Sequence, residues 1–287
     1  MKTNILKSIC FAFCFSCMTL VSVAQGIVVN MKNGKNVYYN MSEVDGVSVY
    51  GYGEEPGPLP DESVIAVKGV YFKMVRVSGG TFRMGSVAGD SDEQPVHEVA
   101  LKDYMIGETE VTQELWEAVM GTNPSCFKGN KKPVECVSWD DCQMFISKLN
   151  KLTGCNFRLP TEAEWEFAAR GGVSGKGLNY SGSKVVGSVA WYSSNSNSTT
   201  HDVATKAANE LGVYDMSGNV WEWCQDWYDT EYYSSSVVNS PTGPSSGAYR
   251  VFRGGSWCLA ASLCRSSFRS FNLPSSRFNY LGFRLAL

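Results

Sequence analysis

Few side chains in this 287-residue chain are of a type and spacing to do chemistry. The two histidines, His97 and His201, are not spaced as a metal-binding pair. No serine, histidine and acid stand in a legible catalytic arrangement either. That leaves sulfur. Of the ten cysteines, Cys10, Cys14 and Cys17 lie within the first 24 residues, leaving Cys126, Cys136, Cys142, Cys155, Cys224, Cys258 and Cys264. Seven is odd, so at least one thiol stays free or pairs with another molecule. Two of them fall inside the most unusual stretch, Arg253 to Leu287. Arg253-Gly254-Gly255-Ser256-Trp257 opens it and Leu281-Gly282-Phe283-Arg284 closes it. Between these anchors run small, aromatic and apolar side chains, punctuated by Arg265, Arg269 and Arg277. Paired glycines before a tryptophan suit a backbone that turns tightly while seating a large ring. Phe268, Phe271, Phe278 and Tyr280, where exposed, are rigid contacts of low entropic cost. The residue types favour binding over bond-breaking.

The elements that position this segment follow from composition and pattern. Hydrophobic residues make up 44% and charged residues 18%, which describes a globular protein with a core. A net charge of −3 gives no electrostatic footprint for nucleic acid. Lys2 and Lys7 precede an apolar run from Ile9 to Val23, and Ser22-Val23-Ala24 offers small residues for cleavage. Residues 1–24 therefore read as a secretory signal, too short for a membrane span, so no transmembrane span is expected in the mature chain. The expected location is secreted, periplasmic or at the cell surface, with a lipid-anchored start at Cys17 left open. Removing the signal leaves 23 basic and 28 acidic residues, net −5. An oxidising compartment permits disulfides.

Residues 27–50 read as a small β unit: Ile27-Val28-Val29 and Val37-Tyr38-Tyr39 flank Asn33-Gly34, with Val47 to Tyr50 as a third strand. So short a unit cannot bury much core and must lean on something else. Residues 51–62 form an acidic, proline-rich linker, and residues 63–287 the main domain. There, Val70 to Val77 and Thr81 to Met84 predict a hairpin about Ser78-Gly79-Gly80. Thr112 caps a helix carrying Leu115, Trp116 and Val119 and ended by Gly121. Ser138 caps another with Cys142, Phe145, Ile146 and Leu149 at helical spacing. Thr161 and Glu164 make a capping box for a third. Trp116, Trp165, Trp221, Trp223, Trp257 and Phe283 are assigned to the core. The expected class is α+β with much irregular structure.

Four blocks lie in order: Gly79 to Ser86, Arg158 to Glu166, Gly218 to Trp223, and Arg253 to Trp257 with Gly282 to Arg284. Together they resemble the formylglycine-generating enzyme family, also called the sulfatase-modifying-factor domain, over Val70 to Leu287. The resemblance implies a C-type-lectin-type fold. Oxidases of the family convert a sulfatase cysteine to formylglycine, using two copper-binding thiolates placed three and eight residues after the Gly-Gly-Ser serine. Here Cys264 stands eight places after Ser256, but the nearer position is Leu259 and Cys258 comes one place early. Metal geometry tolerates little error, so copper chemistry at Cys258 and Cys264 is the alternative and not the leading expectation. The family's iron enzymes need several histidines, which this chain lacks. The resemblance implies a Cys224–Cys264 disulfide, as in exported relatives without activity. It also implies a structural calcium held by Asp215, Gly218, Val220 and Glu222, an oxygen set of the kind calcium prefers. A second calcium loop is missing its asparagine at Val189-Ala190-Trp191.

The last segment also resembles the variable region of retroelement-diversified proteins. Adenine-directed mutation of asparagine codons yields Cys, Leu, Ala, Ser, Phe and Tyr, but not Lys, Glu, Gln, Met or Trp. Those five types are missing from Cys258 to Tyr280. The candidate ligand-binding residues are Cys258, Leu259, Ala260, Leu263, Phe268, Ser270, Phe271, Asn272, Ser276, Phe278, Asn279 and Tyr280. The expected role is an exported protein that displays this surface to a protein or glycan. The alternatives are a copper-dependent formylglycine-generating oxidase and a structural component of a surface assembly.

Overall fold

The computed structural model describes residues 62–287 and three strands ahead of them, Leu20–Val23 (β1), Gly26–Asn30 (β2) and Asn36–Asn40 (β3). Strands β2 and β3 pair antiparallel with Asn30 opposite Asn36, the hairpin that Asn33-Gly34 calls for. β1 pairs with β2. β3 runs parallel to Glu62–Val67 (β4), with Val37 opposite Val64. The small unit thus leans on the edge of the main sheet by backbone pairing. The third strand expected at Val47 to Tyr50, most of the signal segment and the linker expected at 51–62 lie outside the described residues, except that Glu62 opens β4.

The main sheet continues from β4 through Val70–Val77 (β5) to Tyr104–Gly107, while Gly80–Met84 (β6) and His97–Leu101 (β7) form a separate pair; Tyr104–Gly107 is β8. The hairpin expected between β5 and β6 is therefore not formed. Each strand exists, but β5 is flanked by β4 and β8, and β6 pairs with β7, Met84 opposite His97. The corner between them is held by Asp103, which accepts from the Gly79 amide (2.8 Å) and the Arg76 guanidinium (2.6 Å). A tertiary contact replaces the local turn.

The three expected helices form where their caps stand. Helix α1 is Gln113–Met120, with Thr112 accepting from the Leu115 amide and Gly121 ending it at φ 83°. Helix α2 is Trp139–Thr153, capped reciprocally by Ser138 and Asp141. Helix α3 is Glu162–Ala169, boxed by Thr161 and Glu164. The first core cluster includes Trp116, Phe145 and Phe283, with Trp116 stacked on Phe145 at 5.1 Å. The second gathers Trp165, Phe167, Val251 and Tyr104 around α3. Among the described residues no helix is long and apolar enough to cross a membrane.

The C-terminal segment belongs to a four-stranded sheet. Trp221–Trp227 (β9) pairs antiparallel with Arg250–Arg253 (β10), which pairs with Arg269–Asn272 (β11). Leu281–Gly282 (β12) lies parallel on the other side of β9. The last residues then thread into the body. Leu287 exchanges both backbone bonds with Met105 (3.0 and 2.9 Å), and Leu285 accepts from Gly107 (2.8 Å). Trp257 departs from expectation: it is half-buried, its indole N–H donating to the Asn279 carbonyl (3.0 Å).

Candidate functional site

The opening turn sets the segment's path. Gly254 and Gly255 sit at φ 101° and 77°, which side-chain-bearing residues rarely adopt. A Cβ on Gly255 would stand 2.7 Å from Cys264 Sγ. From there the backbone is fastened by main-chain bonds. Leu259 O accepts from Ser193 N (3.0 Å), Pro274 O from Trp139 N (2.9 Å), Phe278 O from Cys136 N (2.9 Å) and Tyr280 O from Trp221 N (2.8 Å). None of these bonds depends on which side chain the segment carries at that point.

The arginines turn back into the body. Buried Arg253 pairs with Glu166 and donates to the Ser266, Ser267 and Phe268 carbonyls (2.9–3.0 Å). Arg265 grips both oxygens of Glu93 (2.7 and 2.8 Å), and Arg269 both oxygens of buried Glu162 (2.6 and 2.8 Å). Arg277 does the same to Asp141 (2.6 and 2.9 Å). Burial alone would raise the Glu93, Glu166 and Asp141 carboxyls, yet the guanidinium partners hold all three below their ordinary values.

Between these arginines Ser256, Cys264, Ser266 and Ser267 are buried, while the remaining side chains reach the surface at least in part. None of the twelve candidate ligand-binding residues is buried. Ala260 and Phe271 are exposed, and Cys258, Leu259, Leu263, Phe268, Ser270, Asn272, Ser276, Phe278, Asn279 and Tyr280 are half-buried. Leu259, Phe268, Phe278 and Tyr280 rest one side on the first core cluster. Phe278 and Tyr280 stack nearly parallel (5.0 Å, 4°), and Phe271, 40% exposed, stacks on Tyr228 (3.9 Å) beside Tyr249. Sequence reasoning missed Leu273, Tyr228 and Tyr249. Leu273 lies inside the segment, and the other two flank β9 and β10.

The sulfur expectations meet a correction. Cys224 and Cys264 are free thiols, so the bridge between them is not formed. They occupy different surroundings. Cys224 packs in the second core cluster with Val251 and Tyr233, while Cys264 lies against Gly255 with its sulfur on the Ala260 carbonyl (3.8 Å). Burial pushes the Cys264 thiol up to about 12, so it is not a thiolate at neutral pH. Cys258 is half-buried, its Sγ 3.4 Å from Ser256 Oγ. Cys258 also stands one place short of the family's nearer copper-ligand position, which Leu259 occupies, and that spacing counts against a copper pair here.

Of the expected calcium residues, Asp215 and Glu222 lie about buried Arg284, while Gly218 donates its amide to the Gly254 carbonyl (2.8 Å). Asp215, at φ 59°, accepts from the Ala204 amide through Oδ2 (2.7 Å), while its buried Oδ1 has no partner. Glu222 is fully engaged: Arg284 reaches both its oxygens (2.6 Å each) and the Trp165 indole donates to one (2.6 Å). Glu110, which the sequence did not single out, accepts from Asn219 Nδ2 (3.0 Å) and the Val220 amide (3.3 Å). Burial, then Asp215 and Glu222, push Glu110 well above its ordinary range, and burial lifts Asp215 to about 6. Three buried carboxylates thus face one arginine, and the bare Asp215 oxygen suits a hard cation. Glu222 could serve such an ion only by sharing an oxygen with Arg284.

Residues 66–287 match the sulfatase-modifying factor enzyme 1-like domain. The serine/threonine-protein kinase pkn1 of Chlamydia pneumoniae is 34% identical over 264 residues; the match covers 81% of this chain but only 39% of the kinase's length. The formylglycine-generating enzyme of Streptomyces coelicolor is 30% identical over 283 residues, covering 74% of this chain and 88% of the enzyme. Among solved structures, Treponema denticola variable protein 1 superposes with a TM-score of 0.74 at 36% identity, covering 79% of this chain and 99% of that one. The chain belongs to the sulfatase-modifying factor enzyme 1-like family and has its formylglycine-generating-enzyme-like, C-type-lectin-type α+β fold.

Proposed function

We propose that this chain is an exported display protein, binding a protein or glycan through the surface from Cys258 to Tyr280. The observation that carries the reading is the division of labour in that segment. Its backbone is held by main-chain bonds and its arginines by carboxylates, while all twelve candidate contact residues reach the surface. Side chains that do not rest on the core, Phe271 and Ala260 among them, can change without undoing the fold, as a diversified surface requires. The Treponema denticola neighbour, a variable protein by name, supports the same reading, as do the five residue types missing from the segment. Calcium, held by Asp215, the Gly218 and Val220 carbonyls and Glu222, would cross-link the loops beneath this surface by satisfying the bare Asp215 oxygen.

The test begins with arrays of glycans and surface proteins probed with the full chain. Replacing Phe271, Phe278 and Tyr280 together by alanine is expected to abolish any specific signal while leaving the far-ultraviolet circular dichroism unchanged. An oxidase reading rests on the Streptomyces coelicolor relative. Multiple-turnover conversion of a sulfatase-derived thiol peptide to its aldehyde by the copper-loaded chain would overturn the display reading.

A further inference from the structure

Next to the C-terminal surface, three ligand-type side chains meet at one spot. Cys126, Glu135 and Cys136 place two sulfurs and a carboxylate oxygen within 4.8 Å of one another, the one such trio found among the described residues. The sulfurs are 3.3 Å apart. Glu135 is fully buried. One of its oxygens accepts from the Phe127 amide (2.7 Å), and the carboxylate also takes hydrogen bonds from the Cys136 thiol and the Cys126 backbone. The carboxylate and both sulfurs thus converge on one point at the rim of the buried loop, with all three ligand-type atoms turned toward one another. The surrounding loop is fixed to hold it: Ser125 Oγ accepts from the Glu135 amide (3.1 Å).

We infer that Cys126, Cys136 and Glu135 form a mononuclear site for a thiophilic divalent cation of the zinc class, with the fourth position open to solvent beside exposed Cys126. A disulfide between the two cysteines would use the sulfurs but not the Glu135 carboxylate; a cation engages all three groups. Zinc–sulfur bonds near 2.3 Å put tetrahedral sulfurs roughly 3.8 Å apart, so the pair need open by only about 0.5 Å. Binding releases the two thiol protons to solvent, and the metal changes no oxidation state. The site sits under the display surface. Cys136 N donates to the Phe278 carbonyl (2.9 Å), and the Phe127 ring meets Trp257 edge-on at 5.2 Å. An ion here would brace the end of the segment that carries Phe278 and Tyr280.

The test uses the full chain, reduced under argon and titrated with Co²⁺ as a spectroscopic stand-in for zinc. One equivalent is expected to bind with intense thiolate-to-cobalt charge-transfer absorption, displaced by Zn²⁺. Cys126→Ser should abolish that absorption and Cys258→Ser should leave it intact. Glu135→Gln should weaken binding by about tenfold or more. In case a variant fails to fold, alkylation of the unmodified chain gives a second readout: zinc should slow modification of Cys126 and Cys136, and a chelator should restore it. Unaltered charge-transfer absorption in Cys126→Ser, or no cobalt binding at all, overturns the assignment. So does an as-purified peptide map showing Cys126 and Cys136 joined and two hydrogens lighter.

Discussion

At the scale of single residues, similar pairs do unequal work. Arg269–Glu162 and Arg277–Asp141 are both two-pronged and both fasten the C-terminal segment, yet they differ in burial. The Arg269 side chain is 0% exposed and its partner 3%, whereas Arg277 is 53% exposed. Removing one member of a buried pair strands the other charge without water. Arg269→Ala is therefore expected to destabilise the fold by about 3–5 kcal/mol. Arg277→Ala, whose orphaned Asp141 can be hydrated, should cost about 0–1 kcal/mol. Urea denaturation of the two variants side by side checks this, and equal losses would refute it. None of these pairs was legible in the sequence. The arginines were visible, but their partners lie 107 and 172 residues away for Arg269 and Arg265. Only the folded topology joins them.

At the scale of elements, local signals worked where the element is decided locally. The three helix starts could be read from Thr112, Ser138 and Thr161 because a cap satisfies its own helix's amides. The β5–β6 hairpin was misread because its turn residues are local while its pairing is set by Asp103 and by β7 and β8. The C-terminal segment is an element of a different kind, an irregular strap held by carboxylates, and it should respond to acid. Glu93, Glu166 and Asp141 are held below their ordinary values of 4.5, 4.5 and 3.8. Groups depressed in this way add stability that is complete above those values and is lost as pH falls through the lower folded-state values. Hydrogen-exchange protection across residues 258–280, corrected for intrinsic exchange, should therefore hold from pH 7 to about 5 and fall below pH 4. Glu110 and Asp226 are raised by burial and carry the opposite sign. Global melting should thus shift less than the local protection, and a strap that loosens no sooner than the core would count against this account.

At the scale of the whole molecule, the fold could be read from motifs, but the charge balance beneath its last segment could not. Glu110 became visible only because the fold carries it beside Asp215 and Glu222. If calcium completes that cluster, it stabilises the whole chain. Calcium at about a hundred times its dissociation constant should add about 2.7 kcal/mol. Asp215→Ala should erase the increment, and magnesium, which demands stricter octahedral geometry, should reproduce little of it. A melting curve indifferent to both calcium and chelator would remove calcium from the account.

The way residues 281–287 thread between β9 and β8 has a consequence for the order of assembly. These residues leave the ribosome after everything they bind, and Phe283, Leu285 and Ala286 are all buried. A chain clipped before them loses the β12 pairing on β9 and the backbone bonds to Met105 and Gly107, so the far end of the strap has no anchor. The strap's shape is thereby tied to a strand far from its own loops: residues 281–287 set the path of the segment that precedes them.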